Sequence, residues 1–168
     1  MLNINLEVDP TYQTEVVADT IIAIAQSVLT HCEVTEGELT VVITTDEAVQ
    51  ELNRTYRQVD APTDVLSFAT TESEESDALP DDFVMPDFIV PDDEVAYWGD
   101  IIIAFPTAAR QAAASGHSVL DEVCLLVIHG ILHLLGFDHH TPQAKAQMWQ
   151  KQQAILEQNQ LAHVKPTE

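Results

Sequence analysis

Positive charge is scarce in this sequence. Only six of its 168 residues are lysine or arginine, against 28 aspartates and glutamates, for a formal net charge of −22. A chain so charged stays soluble and repels polyanions. That excludes generic binding to nucleic acid or anionic membrane through a broad basic surface. Any anionic ligand has to be held by a local positive feature. Cysteine is also rare. Cys32 and Cys124 are far apart and form no CxxC pair, which fits a reducing compartment and two small core thiols rather than a disulfide framework. No apolar run approaches the roughly 20 residues that cross a bilayer. The longest candidate, residues 123–137, is interrupted by two histidines. The N-terminal MLNINLEVDP has no basic region followed by an apolar block, so no signal peptide is expected. The default expectation is a cytoplasmic protein without a membrane partner.

What is there suits one domain with a real core: 46% of the residues are hydrophobic. LNINLEV alternates apolar and polar residues and reads as a strand. Asp9 can cap the segment after it and Pro10 can take its first helical position. Val17, Ile21, Ile24, Ala25 and Val28 then recur at helical spacing, predicting a helix within residues 10–32. ELTVVITT is a second strand. Thr44 and Glu47 stand in capping-box relation before a helix whose inward residues are Val49, Leu52 and Tyr56, and Pro62 forces its exit. DVLSFAT is a third strand and the apolar YWGDIIIAF a central fourth. PTAARQAAAS is a helix closed by Gly116, Ser118 caps the next one, and Thr141 and Pro142 start the last. Residues 71–94 differ from all of this, with ten acidic residues, three prolines and no basic one. The expectation is a single α/β domain of mixed α+β character over residues 1–158, with about four strands and five helices. It carries an acidic loop insertion at 71–94 and ends in a tail at 159–168. Strand order is not legible at this level.

Four of the seven histidines fall in one apolar stretch, HGILHLLGFDHH, residues 129–140. His129 and His133 are four apart on the predicted helix, so their rings leave it about 40° apart and can reach one point. Gly136 stops the helix, and His139 can swing back toward that point. Three neutral imidazoles with an open fourth position are the arrangement of a catalytic zinc site rather than a closed structural one. His140 is adjacent to His139 and expected to face solvent. Asp138 stands equally for orienting a ligand histidine or making a turn. Cys124 lies about 140° round the helix from His129 and is a poor ligand candidate.

The spacing matches the histidines and glycine of the metzincin protease pattern HExxHxxGxxH. It departs where those proteases carry the catalytic glutamate, because this chain has Gly130. A mid-helix glycine costs about 1 kcal/mol relative to alanine, so its presence predicts tight packing or space kept clear beside the metal. A peptidase lacking its general base is not the first expectation.

HGILHLLGFDH resembles the HGxLHLxGYDH signature of the YbeY family of bacterial endoribonucleases, with Phe137 in place of tyrosine. LNRTYRQVDAPTDVLSF and WGDIIIA agree with the family's pattern in the same order. The resemblance implies that His129, His133 and His139 bind one Zn2+ and that Arg57 is the basic residue of the active cleft. It implies a small mixed sheet flanked by helices. The implied activity is cleavage of single-stranded RNA in the bacterial cytoplasm, in maturing the 3′ end of 16S rRNA and in ribosome quality control. The implied partners are rRNA and the small ribosomal subunit, with no DNA. Zinc on three neutral histidines keeps its +2 charge at the open position, where it can bind a phosphodiester oxygen, and an arginine suits phosphate. Arg54, Arg57 and Arg110 are expected to form one local positive groove. Asp64 and Asp100 are further candidates, the former for a turn and the latter for a place near the metal. Two alternatives stay open: a zinc hydrolase of another class, peptidase-like, and a non-catalytic ribosome assembly factor with a structural zinc.

Overall fold

Apolar alternation builds the first strand. In β1 (Leu2–Val8), Leu2, Ile4, Leu6 and Val8 pack against the core while the residues between them are exposed. With β2 (Gly37–Thr44), β3 (Val65–Ala69) and β4 (Tyr97–Ala104) it forms a four-stranded sheet in the order β1-β2-β4-β3. β1, β2 and β4 are parallel, and β3 pairs antiparallel with β4. The computed structural model describes residues 2–69, 97–137, 141–161 and 163–164. The acidic segment 71–94 lies outside the described residues. The expected architecture holds: one small α/β domain with a mixed sheet and, among the described residues, five α-helices.

The two faces of the sheet carry different layers. Leu39, Val41, Ile43, Ile101 and Ile103 join α1 (Ala18–His31), α4 (Val119–Leu134) and α5 (Pro142–Gln158) in the main core. On the opposite face, Leu66, Phe68, Ile102 and Ala104 cluster with Val49 and Leu52 of α2 (Asp46–Arg57). Leu161, and Val164 beyond it, are buried in the main core. The segment expected as a tail therefore contributes to packing, because the chain turns back after α5 with Leu161 N bonded to Leu156 O.

Helix boundaries shift where tertiary contacts decide them. Asp9 does cap, but it caps a short 3-10 turn, Pro10–Tyr12, and α1 starts only at Ala18. Tyr12 stacks on Phe105 with ring centroids 4.5 Å apart, and Val16 is buried. The chain continues in turns, with Val16 N bonded to Tyr12 O, and breaks at the extended Val17 (φ −88°, ψ 100°) before α1 begins. The cap of α2 is Thr45, not Thr44; its hydroxyl accepts from Ala48 N. The helix also ends before Pro62 can act. Gln58 adopts a left-handed conformation (φ 58°) and Val59 N returns to Asn53 O. The Asn53 side chain then donates to Ala61 O, which fixes the loop beyond Arg57.

α3 (Phe105–Ser115) closes at Gly116 with φ 81°, as expected of a glycine C-cap. Its start has no cap of its own. Asp46, at the head of α2, accepts from both Thr107 N and Thr107 Oγ1 instead. α4 opens on the predicted Ser118 cap and is buried on nearly every side, the signature of a central core helix. A buried His117–Glu122 pair sits at its first turn. Burial pushes the Glu122 carboxyl up, and His117 opposes that shift.

Candidate metal centre

α4 carries His129 and His133 one turn apart, and their rings meet. The two Nε2 atoms are 3.0 Å from each other. Two nitrogens held by one zinc at roughly 2.0–2.1 Å with tetrahedral angles stand about 3.3 Å apart, so this pair fits a shared ion with little adjustment. His139, the third expected ligand, lies outside the described residues with Asp138 and His140. Among the described residues, no third His, Cys, Asp or Glu completes a ligand set.

Gly130 has a packing explanation. A Cβ built there would stand 2.9 Å from Ile101 Cγ2, 3.2 Å from Ser67 Oγ and 3.3 Å from Ile101 Cδ1. The helix lies so close to β3 and β4 that a side chain at this position would enter the sheet. Ser67 Oγ also donates to Gly130 O at 3.4 Å, a long bond. Of the two readings of Gly130, tight packing is the one that the contacts support.

Arg57, the last residue of α2, reaches across to the edge strand. Its Nη2 donates to Ser67 O at 2.9 Å, and its guanidinium lies 5.5 Å from the centre of the Phe68 ring. One of its five donors is thus used to anchor it against the strand that touches the histidine helix. The positive groove expected from three arginines does not assemble. Arg54 is bound to Glu51 one turn back. Arg110 is bound to Asp46 at 2.8 Å, at the opposite end of α2 from Arg57, and a helix of that length spans about 16 Å.

Asp64 Oδ1 accepts from its neighbour Val65 N at 2.8 Å, a local turn contact. Asp100 does not approach the histidines. Its neighbour Ile101 faces α4, so alternation turns Asp100 to the opposite face, where its carboxylate accepts from Tyr97 Oη. Burial holds the Asp100 carboxyl above the usual range, with the Tyr97 bond opposing. Cys124 is buried and its thiol is pushed up to about 12 by that burial, which suits a core residue and not a ligand.

Sequence reasoning did not single out the contribution of α5. Gln152 is buried, with Met148, Ile155 and Leu156 of the same helix. Its Oε1 lies 3.1 Å from His129 Nδ1. Trp149 meets the His129 ring edge-on at 5.8 Å. The signal was available: a glutamine at the i+4 position from Met148 interrupts an otherwise apolar stripe.

Fold and site define a small mixed α/β domain with a pair of converging histidines on its central helix. The endoribonuclease YbeY family model matches residues 4–160. This chain belongs to that family. It is 44% identical over 149 residues to the endoribonuclease YbeY of Dehalococcoides mccartyi, covering 88% of this chain and 87% of that one. It is 49% identical over 121 residues to the one from Moorella thermoacetica, covering 72% of each. It is 40% identical over 155 residues to the one from Roseiflexus castenholzii, covering 91% and 90%. The solution structure of TM1509 from Thermotoga maritima shares the fold, with a TM-score of 0.53 at 19% identity over 100% of this chain and 99% of that one.

Proposed function

We propose that this protein is a zinc-dependent endoribonuclease specific for single-stranded RNA. It acts in the cytoplasm on rRNA of the small ribosomal subunit, in 16S 3′-end maturation and ribosome quality control. The observation that carries this reading is the convergence of His129 and His133 Nε2 in a chain of the YbeY family. His129, His133 and His139 would hold one zinc. Bound there, it would supply a Lewis acid for a phosphodiester oxygen and lower the pKa of water. Arg57 binds the phosphate with the donors not used on Ser67, and the Ser67 bond keeps the guanidinium in place.

The acid-rich surface sets a limit on binding. With Arg54 and Arg110 tied to carboxylates, free RNA is held weakly and the ribosome supplies much of the docking. A peptidase reading is disfavoured at Gly130. A glutamate in that place would have to enter the space filled by Ile101 and Ser67.

The test is zinc content together with cleavage of single-stranded RNA for wild type, His133→Ala and Arg57→Glu. His133→Ala should lose both zinc and cleavage. Arg57→Glu should keep zinc and lose cleavage by at least tenfold. Full-rate RNA cleavage by chelator-stripped protein would overturn the zinc reading. Casein cleavage without RNA cleavage would favour the peptidase. Products ending in 2′,3′-cyclic phosphate would assign the attack to the RNA 2′-hydroxyl.

A further inference from the structure

We infer that Gln152 is a positioning residue for His129, so that the last helix α5 belongs to the metal centre. The inference rests on the zinc reading above. Gln152 is 1% exposed, among apolar side chains that a methionine or leucine would serve as well for packing. Burying an amide there is costly unless it is hydrogen-bonded. The bond it makes is to the imidazole: its Oε1 is 3.1 Å from His129 Nδ1.

That contact determines the chemistry of the ring. A carbonyl oxygen only accepts, so the proton of the neutral imidazole has to sit on Nδ1. The lone pair is then left on Nε2, the atom 3.0 Å from His133 Nε2. The reversed amide would present its NH2 to Nδ1 and drive the proton onto Nε2, which would block ligation. Gln152 therefore selects the ligating tautomer, and it also fixes the ring's rotation. Trp149, one turn earlier on α5, meets the same ring edge-on at 84° and limits its other motion. Outer partners of this kind orient ligand histidines and typically change metal affinity 10- to 100-fold. Gln152 is uncharged, so it orients His129 without the gain in ligand basicity that a carboxylate would add.

The experiment measures zinc affinity by chelator competition for wild type, Gln152→Met and Gln152→Glu. It is paired with long-range 1H–15N NMR of histidine-labelled protein, metal-free and zinc-loaded. Gln152→Met should bind zinc about 10- to 100-fold more weakly, with the thermal midpoint of the metal-free protein within a few degrees of wild type. Gln152→Glu keeps an acceptor and should bind zinc at least as tightly as wild type. Wild-type His129 should carry its proton on Nδ1 in both states. Zinc affinity of Gln152→Met within twofold of wild type, or a His129 proton on Nε2, overturns the inference. If Gln152→Met folds poorly, the wild-type tautomer decides alone. If wild type takes up no zinc, the zinc reading fails and the inference falls with it, whereas wild-type zinc binding with an unaffected Gln152→Met sinks only the inference.

Discussion

Replacing Gly130 by alanine tests how closely the histidine helix approaches the sheet. Helix propensity alone favours the change by about 1 kcal/mol. The contacts oppose it. The new methyl would lie 2.9 Å from Ile101 Cγ2, closer than carbon atoms pack. Ile101 is fully buried and β-branched, so its Cγ2 is fixed by a stiff χ1 and cannot swing aside cheaply. Overpacking of this kind typically costs 1–3 kcal/mol. Set against the propensity gain, the expected net loss is about 1 kcal/mol, or a fall in Tm of roughly 2–4 °C for a chain of this size. Thermal unfolding followed by circular dichroism on metal-free protein would show it, and a chemical-denaturation series would confirm that the slope is unchanged. A rise in Tm, the result propensity alone would give, would refute the reasoning. Gly130→Val should be worse by several kcal/mol, because it adds a second branch into the same space.

Asp46→Asn should cost about 1–2 kcal/mol at pH 7, since it weakens the cap that Asp46 provides to Thr107 and the pair with Arg110. Burial would raise the Asp46 pKa, but the Arg110 and Thr107 hydrogen bonds outweigh it and hold the carboxyl below its usual range. The stabilisation is therefore present above the unfolded value and lost as pH falls through the lower folded one. The gap between wild type and Asp46→Asn should close below about pH 4; a gap that persists to pH 2 would count against the pairing. Cys124, buried with its thiol pushed up to about 12, should resist a thiol reagent at pH 8. The half-buried Cys32 should react slowly, giving one thiol in the native protein and two in denaturant. Two fast native thiols would contradict the packing of α4.

Much of this molecule can be read from local periodicity, and the part that cannot is non-local. The strands stand out by alternation and β-branching, and α4 by its Ser118 cap and its apolar run. His129 and His133 are legible because a helix makes i and i+4 neighbours whatever surrounds it. Strand order is a different matter: β4 inserts between β2 and β3, and no local pattern reports that. Nor does alternation say which face of β4 meets the helix, so Asp100, a candidate by sequence for a place near the histidines, lies on the face turned away from α4. α1 starts at Ala18, later than the local signals place it, for a similar reason. Tyr12 is anchored by Phe105, far along the chain, and this overrides a good local start signal at Asp9 and Pro10. The arginine groove failed because charge partners are tertiary. Arg110 meets Asp46 only once α2 and α3 are packed.

The three stretches that resemble the family's pattern are separated in sequence but meet at one place, and Gly130 is where they meet. HGILHLLGFDH supplies the glycine, WGDIIIA supplies Ile101 against it, and LNRTYRQVDAPTDVLSF supplies Ser67, whose hydroxyl reaches Gly130 O. Ser67 also offers its main-chain oxygen to Arg57, eleven residues into the α2 helix from its start. Because Ser67 pairs with Ile101 in the sheet, the two residues that limit Gly130 belong to neighbouring, hydrogen-bonded strands. His129 is the adjacent residue on the same helix, so the expected metal ligand and Arg57 are linked through Gly130 and Ser67. The packing explains why a glycine suits this helix position although its intrinsic helix propensity is about 1 kcal/mol below that of alanine. The close approach that it permits joins the histidine helix to the strand that anchors Arg57.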